Sequence, residues 1–130
     1  MKILYIDDNK SLTKLLSTHL ISKDHECTVA NSGRNGLTLM ENNKFDVVLL
    51  DILMPEFTGF DVIDYLFKNK KIYEQNIILF TGATLSNEKI DELLRKGVHS
   101  YITKPAETDE LLGVINASRT THTMVLCTES

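Results

Sequence analysis

The chain has 130 residues, a length that suits one domain with a single hydrophobic core. Hydrophobic residues make up 42% and charged residues 25% of it, as in ordinary globular proteins, and 14 basic against 18 acidic residues give a net charge of −4. This charge argues against direct nucleic-acid binding, and no apolar run approaches the roughly 20 residues that cross a bilayer.

The N-terminus and the cysteines favour a cytoplasmic protein. Residues 1–6 form too short an apolar stretch, too soon followed by acidic residues, for a signal peptide. The two cysteines, Cys27 and Cys127, belong to no CxxC or histidine-linked cluster. Two free thiols in a reducing compartment are therefore a simpler interpretation than a disulfide.

Short apolar runs alternate with helical patterns along the whole chain. Runs of strand length occur at residues 3–6, 27–30, 47–50, 77–80 and 99–103. After each run, apolar residues recur three to four positions apart, as in amphipathic helices, and Ser86 and Gly97 are suited to begin and end the fourth helix. This alternation predicts an α/β fold, an open parallel sheet with helices on both faces.

Polar residues stand where four of the predicted strands end. Asp7 and Asp8 follow the first strand, Asp51 the third, Thr81 the fourth and Lys104 the fifth. In open α/β sheets, ligands bind in a crevice at the carboxyl ends of the strands. We therefore expect these side chains to converge at one edge of the sheet.

Three carboxylates in one crevice require cations. Two like charges about 4 Å apart cost about 4 kcal/mol at an effective dielectric constant of about 20. Lys104 supplies one positive charge, and an oxygen-only site suits Mg²⁺, whereas no histidine stands at a strand end beside the acids. Asp51 could then accept a phosphoryl group as an oxygen nucleophile, assisted by Lys104 and the Thr81 hydroxyl. These residues make such a site plausible but do not identify phosphate as the ligand.

Each of these residues also has a plainer interpretation. Asp7 and Asp8 could stabilise the N-terminus of the first helix, Thr81 could be a turn residue, and Lys104 could be a solvated charge. Their combination at the predicted strand ends favours a metal and phosphate site over these separate structural roles.

The motifs resemble the receiver domain of two-component response regulators over residues 2–117. The residues that carry this resemblance are Asp7-Asp8, Asp51 with Met54-Pro55 and Gly59, Thr81-Gly82-Ala83, and Tyr101 with Lys104-Pro105. The resemblance implies a flavodoxin-like, doubly wound, five-stranded parallel sheet with strand order 2-1-3-4-5. Residues 118–130 would be a polar, loose C-terminal tail.

The resemblance also implies a role for each site residue. Asp51 would be the phosphoacceptor, and Asp8 and Asp51 would bind Mg²⁺ directly. The backbone carbonyl of Leu53 would be a third ligand, and Asp7 would act at the same site through a water molecule.

Four further residues would complete the implied switch. Lys104 would pair with Asp51 and then with the phosphoryl oxygens, and the Lys104–Pro105 bond would be cis. Thr81 would move to bind the phosphoryl group, and Tyr101 would swing inward behind it.

Two positions that tune loss of phosphate in the family hold Leu53 and Ala83 here, and neither side chain can bind an attacking water. We therefore expect slow autodephosphorylation. Ala106 stands where the family often has Phe, which makes the packing under the last helix harder to predict.

The resemblance implies a stand-alone signalling switch and not an enzyme. A sensor histidine kinase, a phosphotransfer protein or a small phosphodonor would phosphorylate Asp51, and the last strand and helices would present a changed face to a protein target. Because the chain ends soon after the fifth helix, we expect no DNA-binding output domain, in keeping with either a chemotaxis-type messenger or a phosphorelay intermediate.

The alternative is an Asp-nucleophile phosphatase of the haloacid-dehalogenase kind, with Asp7 as the nucleophile. Such enzymes have a general acid two residues later, where this chain has Asn9. A flavodoxin-like flavin binder would need a hydroxyl-rich loop after the first strand, and the acidic pair found there has the wrong charge.

Overall fold

The computed structural model describes the backbone of residues 1–129 and the side chains of residues 1–118. One parallel sheet has the strand order β2-β1-β3-β4-β5. Its strands are β1 (Lys2–Ile6), β2 (Glu26–Ala30), β3 (Val47–Leu50), β4 (Ile77–Thr81) and β5 (Ser100–Thr103). The predicted fold class and strand order are confirmed.

Five helices connect and cover the strands, namely α1 (Lys10–Ser22), α2 (Gly33–Asn42), α3 (Gly59–Lys68), α4 (Asn87–Lys96) and α5 (Thr108–Glu129). A short 3₁₀ turn, Ile72–Glu74, precedes β4. The side chain of Ser86 accepts a hydrogen bond from the Lys89 amide at the start of α4. Gly97 ends this helix with φ of 123°, a conformation that glycine adopts at little cost. Both predicted ends of α4 are confirmed.

The sheet is buried on both faces, as the continuous apolar run of β3 predicts. One face packs Leu4, Val48 and Leu79 against apolar side chains of α2, α3 and α4. The other packs Tyr5, Leu49 and Phe80 against α1 and α5, which contribute Leu16, Leu20, Leu111 and Ile115. Within the described part of the chain, no helix is both long and apolar enough to cross a membrane.

The last helix extends into the segment that we expected to be a loose tail. The backbone is helical through Glu129, and Ser118 is fully buried. The Ser118 hydroxyl donates to the carbonyl of Ile115 and accepts from Asn76. Ser118 therefore packs with the domain, because its polar atoms have partners there. The side chains beyond it, including that of Cys127, lie outside the described residues, so the division after residue 117 stays a prediction.

Candidate functional site

Strand register places two of the acids side by side. Ile6 of β1 lies opposite Leu50 of β3, so Asp7 and Asp51 leave the sheet together. The Asp51 amide donates to the Ile6 carbonyl at 3.0 Å. Carboxylate oxygens of Asp7, Asp8 and Asp51 all lie within 4.8 Å of one another. Asp7 and Asp51 are buried and Asp8 is exposed, so the acidic cluster has one side open to solvent.

Asp7 is the most constrained of the three acids. Its Oδ1 accepts a hydrogen bond from the Asn9 amide, and its Oδ2 accepts from both the Tyr5 hydroxyl and the Lys104 ammonium. The Asn31 side chain donates to the Asp7 backbone carbonyl at 2.8 Å, which ties the end of β1 to the end of β2. A fully buried carboxylate needs such partners, because an unpaired buried charge is costly.

Lys104 is the cation shared by the two buried acids. Its Nζ donates to Asp7 Oδ2 and, at 3.3 Å, to Asp51 Oδ2. It also lies 5.4 Å from the ring centroid of Phe80, within the range of a cation–π contact. The Lys104–Pro105 peptide bond is cis, the isomer expected from the sequence. The family resemblance implies that Lys104 pairs with Asp51, and the structure contains this ion pair, but Lys104 lies closer to Asp7.

Thr81 and Tyr101 both bind the loop that follows β4. The buried Thr81 hydroxyl accepts from the Ala83 amide at 3.2 Å. The half-buried Tyr101 donates its hydroxyl to the Ala83 carbonyl at 2.9 Å. The amide and the carbonyl of Ala83 are thus each held by a side chain, one at the end of β4 and one in β5. The switching roles of Thr81 and Tyr101 stay predictions.

The loop after Asp51 is held tightly against the strand. The Leu53 amide donates to Asp51 Oδ1 at 3.3 Å, and the Gly59 amide donates to the Ile52 carbonyl at 3.0 Å. A Cβ on Gly59 would lie 2.5 Å from the Asp51 carbonyl oxygen, so only glycine allows α3 to begin this close to the strand end. Leu53 is 59% exposed beside the site.

Tyr5 is the site residue that the sequence analysis missed. Side chains alternate between the faces of a strand, so Tyr5 and Asp7 point to the same side of β1. Burial and the neighbouring Asp7 carboxylate raise the pKa of the Tyr5 hydroxyl far above its ordinary value, so it stays a donor. The two-residue spacing to Asp7 is the signal in the sequence that could have identified it.

The donor set fits Mg²⁺. All the candidate ligands are oxygens, and the one exposed acid leaves room for the water molecules that Mg²⁺ retains. Asp8 and Asp51 are the residues that could hold the ion directly. Asp7 already accepts three hydrogen bonds from protein groups, which suits the indirect role expected of it. The Leu53 carbonyl as a ligand stays a prediction.

Comparison with known proteins gives matches along nearly the whole chain. A family model described as the response regulator receiver domain matches residues 3–116. "Protein PilH" of Pseudomonas aeruginosa is 33% identical over 116 residues, which cover 89% of this chain and 95% of PilH. The chain spans only about half the length of several other curated relatives, which are named as transcriptional regulators.

Solved structures match as well. The chemotaxis protein CheY4 of Vibrio cholerae superposes with a TM-score of 0.80 at 28% identity, covering 90% of this chain and 97% of CheY4. The response regulator TrrA of Thermotoga maritima, solved in complex with Mg²⁺ and BeF, gives a TM-score of 0.75 at 28% identity, covering 90% of this chain and 97% of TrrA.

Proposed function

The chain belongs to the response regulator receiver family of two-component signalling, and we propose that Asp51 is its phosphoacceptor. The observation that carries this proposal is the position of Asp51. It lies at the carboxyl end of the central strand, buried, between two other acids and a shared lysine. Receiver domains are signalling switches, and we propose this role rather than that of an enzyme.

The proposed reaction moves one phosphoryl group. An Asp51 carboxylate oxygen attacks phosphorus and forms a new P–O bond. The bond from phosphorus to the donor's imidazole nitrogen, or to the oxygen of a small acyl phosphate, breaks, and its electron pair leaves with the donor. Asp8 and Asp51 would hold Mg²⁺, and the bound ion would supply positive charge that favours the transfer. Lys104 begins on Asp7 and Asp51 and moves its ammonium to the phosphoryl oxygens.

The proposed readout starts at the loop after β4. Thr81 now accepts a hydrogen bond from the Ala83 amide, and its hydroxyl can instead donate to a phosphoryl oxygen. Because Tyr101 also holds Ala83, a shift of this loop would release the ring and alter the surface formed by α4, β5 and α5. This two-state change would present a new face to a downstream protein target.

The proposed partners are a sensor histidine kinase or phosphotransfer protein upstream and a protein target downstream. We also propose a cytoplasmic location, which rests on family membership alone. The structural similarity to TrrA, which was solved with Mg²⁺ and BeF, supports Mg²⁺ as the ion for this site.

The direct test is incubation with acetyl phosphate and Mg²⁺, followed by intact-protein mass spectrometry. We expect the wild type to gain the mass of one phosphoryl group, and we expect Asp51→Asn to gain none. A wild type of unchanged mass would contradict the proposal.

A second outcome would favour the alternative, a phosphatase with Asp7 as its nucleophile. Sustained hydrolysis of a phosphate ester that is lost in Asp7→Asn and kept in Asp51→Asn would point to that enzyme. The family match does not favour it.

A further inference from the structure

Tyr5 places a hydroxyl group inside the acidic site from the core of the sheet. The side chain is fully buried, and its ring lies 6.3 Å from that of Phe80. Its hydroxyl donates to Asp7 Oδ2 at 3.0 Å. Lys104 donates to the same oxygen, so one carboxylate oxygen receives a neutral donor and a charged donor at once.

This sharing matters when Lys104 moves. Asp7 is fully buried, and its other oxygen is bound by the Asn9 amide. If Lys104 were the only donor to Oδ2, its departure would leave a buried carboxylate oxygen without a hydrogen bond, which is strongly unfavourable. The Tyr5 hydroxyl keeps that oxygen hydrogen-bonded whether or not Lys104 is present.

We propose that Tyr5 is a positioning residue that allows Lys104 to leave Asp7 and bind the phosphoryl group on Asp51. The inference rests on the proposed function, because it concerns the step in which Lys104 changes partners. Tyr5 acts through Asp7 and Lys104 and touches neither the donor nor the phosphoryl group.

The test compares Tyr5→Phe with Tyr65→Phe. Tyr5→Phe keeps the ring and its packing and removes only the hydroxyl. Tyr65→Phe makes the same chemical change on α3, where the hydroxyl donates to Glu41 at the surface. A lower phosphorylation rate in Tyr5→Phe but not in Tyr65→Phe is therefore due to loss of the buried hydroxyl.

We expect Tyr5→Phe to slow phosphorylation by acetyl phosphate about 10- to 150-fold at saturating Mg²⁺, the range set by one hydrogen bond to a charged group. The Mg²⁺ dissociation constant, measured by calorimetry, should not rise, because Asp7 loses a donor and becomes no less negative. In the metal-free protein, NMR should show slower solvent exchange of the Lys104 ammonium hydrogens, since Asp7 then holds Lys104 more tightly.

An unchanged phosphorylation rate in Tyr5→Phe would overturn the inference while leaving the proposed function intact. So would a rate that falls together with Mg²⁺ affinity, because that pattern indicates a purely structural role for the hydroxyl. Faster solvent exchange of the Lys104 ammonium hydrogens in metal-free Tyr5→Phe would also overturn the inference, without any phosphorylation experiment. A wild type that gains no phosphoryl group would overturn both proposals.

Discussion

Replacement of Gly59 by alanine tests whether the contact between α3 and the acceptor strand positions Asp51. A Cβ at this position would lie 2.5 Å from the Asp51 carbonyl oxygen and 2.7 Å from the Ile52 Cα. Both are backbone atoms, so the contact cannot be relieved by rotating a side chain. The strand or the start of α3 would have to move.

Two opposing effects set the expected change in the free energy of unfolding of Gly59→Ala. Overpacking of a tight contact costs about 1–3 kcal/mol, and a clash with backbone belongs at the upper end, about 3 kcal/mol. Alanine returns at most about 1 kcal/mol through its higher helix propensity. We therefore expect Gly59→Ala to lower the free energy of unfolding by about 2 kcal/mol. Phosphorylation should also slow, because the displaced backbone carries Asp51.

Gly113→Ala is the matched control. Gly113 lies in α5, is exposed, and has no atom within 4 Å of a built Cβ. Here only helix propensity acts, so the free energy of unfolding should rise by about 0.5–1 kcal/mol. Urea denaturation followed by far-UV circular dichroism measures both changes. If Gly59→Ala proves as stable as Gly113→Ala, the reasoning from the close contact is refuted.

Three further predictions concern the ion, the lifetime of the phosphoryl group and the half-buried thiol of Cys27. Mg²⁺ at about 100 times its dissociation constant should raise the free energy of unfolding by about 2.7 kcal/mol, and Asp8→Asn should remove most of this gain. Leu53→Asn should shorten the half-life of phosphorylated Asp51, measured by loss of the phosphoryl mass, because an amide beside the acceptor can orient an attacking water. Burial raises the pKa of the Cys27 thiol to about 11. In the Cys127→Ser variant, where Cys27 is the remaining cysteine, the reaction of Cys27 with a disulfide reagent should be slow around pH 8 and accelerate up to about pH 11.

Each of these has its own control. Asp91→Asn removes an exposed acid on α4, outside the acidic cluster, so Mg²⁺ should still raise its free energy of unfolding by the full amount. If Mg²⁺ stabilises Asp8→Asn by that same amount, Asp8 is not a ligand of the ion. An unchanged half-life in Leu53→Asn would contradict the expected link between this position and hydrolysis. A Cys27 reaction rate that reaches its plateau near neutral pH would contradict the raised pKa.

The strands and the acidic cluster were predictable because they depend on local pattern and on one general rule. A continuous apolar run such as residues 47–50 predicts a buried strand, and parallel strands bring their carboxyl ends to one edge. Asp51 and Lys104 could therefore be placed together although 53 positions separate them. The burial of Ser118 was harder to predict, because this residue belongs to a polar stretch and its hydroxyl pairs with Asn76, which lies 42 positions earlier in the chain.

The sequence by itself determined the order of the elements, the edge at which the polar residues meet and the family of the chain. Only the tertiary structure decided that Lys104 lies closer to Asp7 than to Asp51 and shares an oxygen with Tyr5. The physical reason is one of scale. Strand order follows from apolar periodicity over many residues, whereas the partner of an ammonium group depends on differences of about an ångström that register, side-chain rotamers and packing set together.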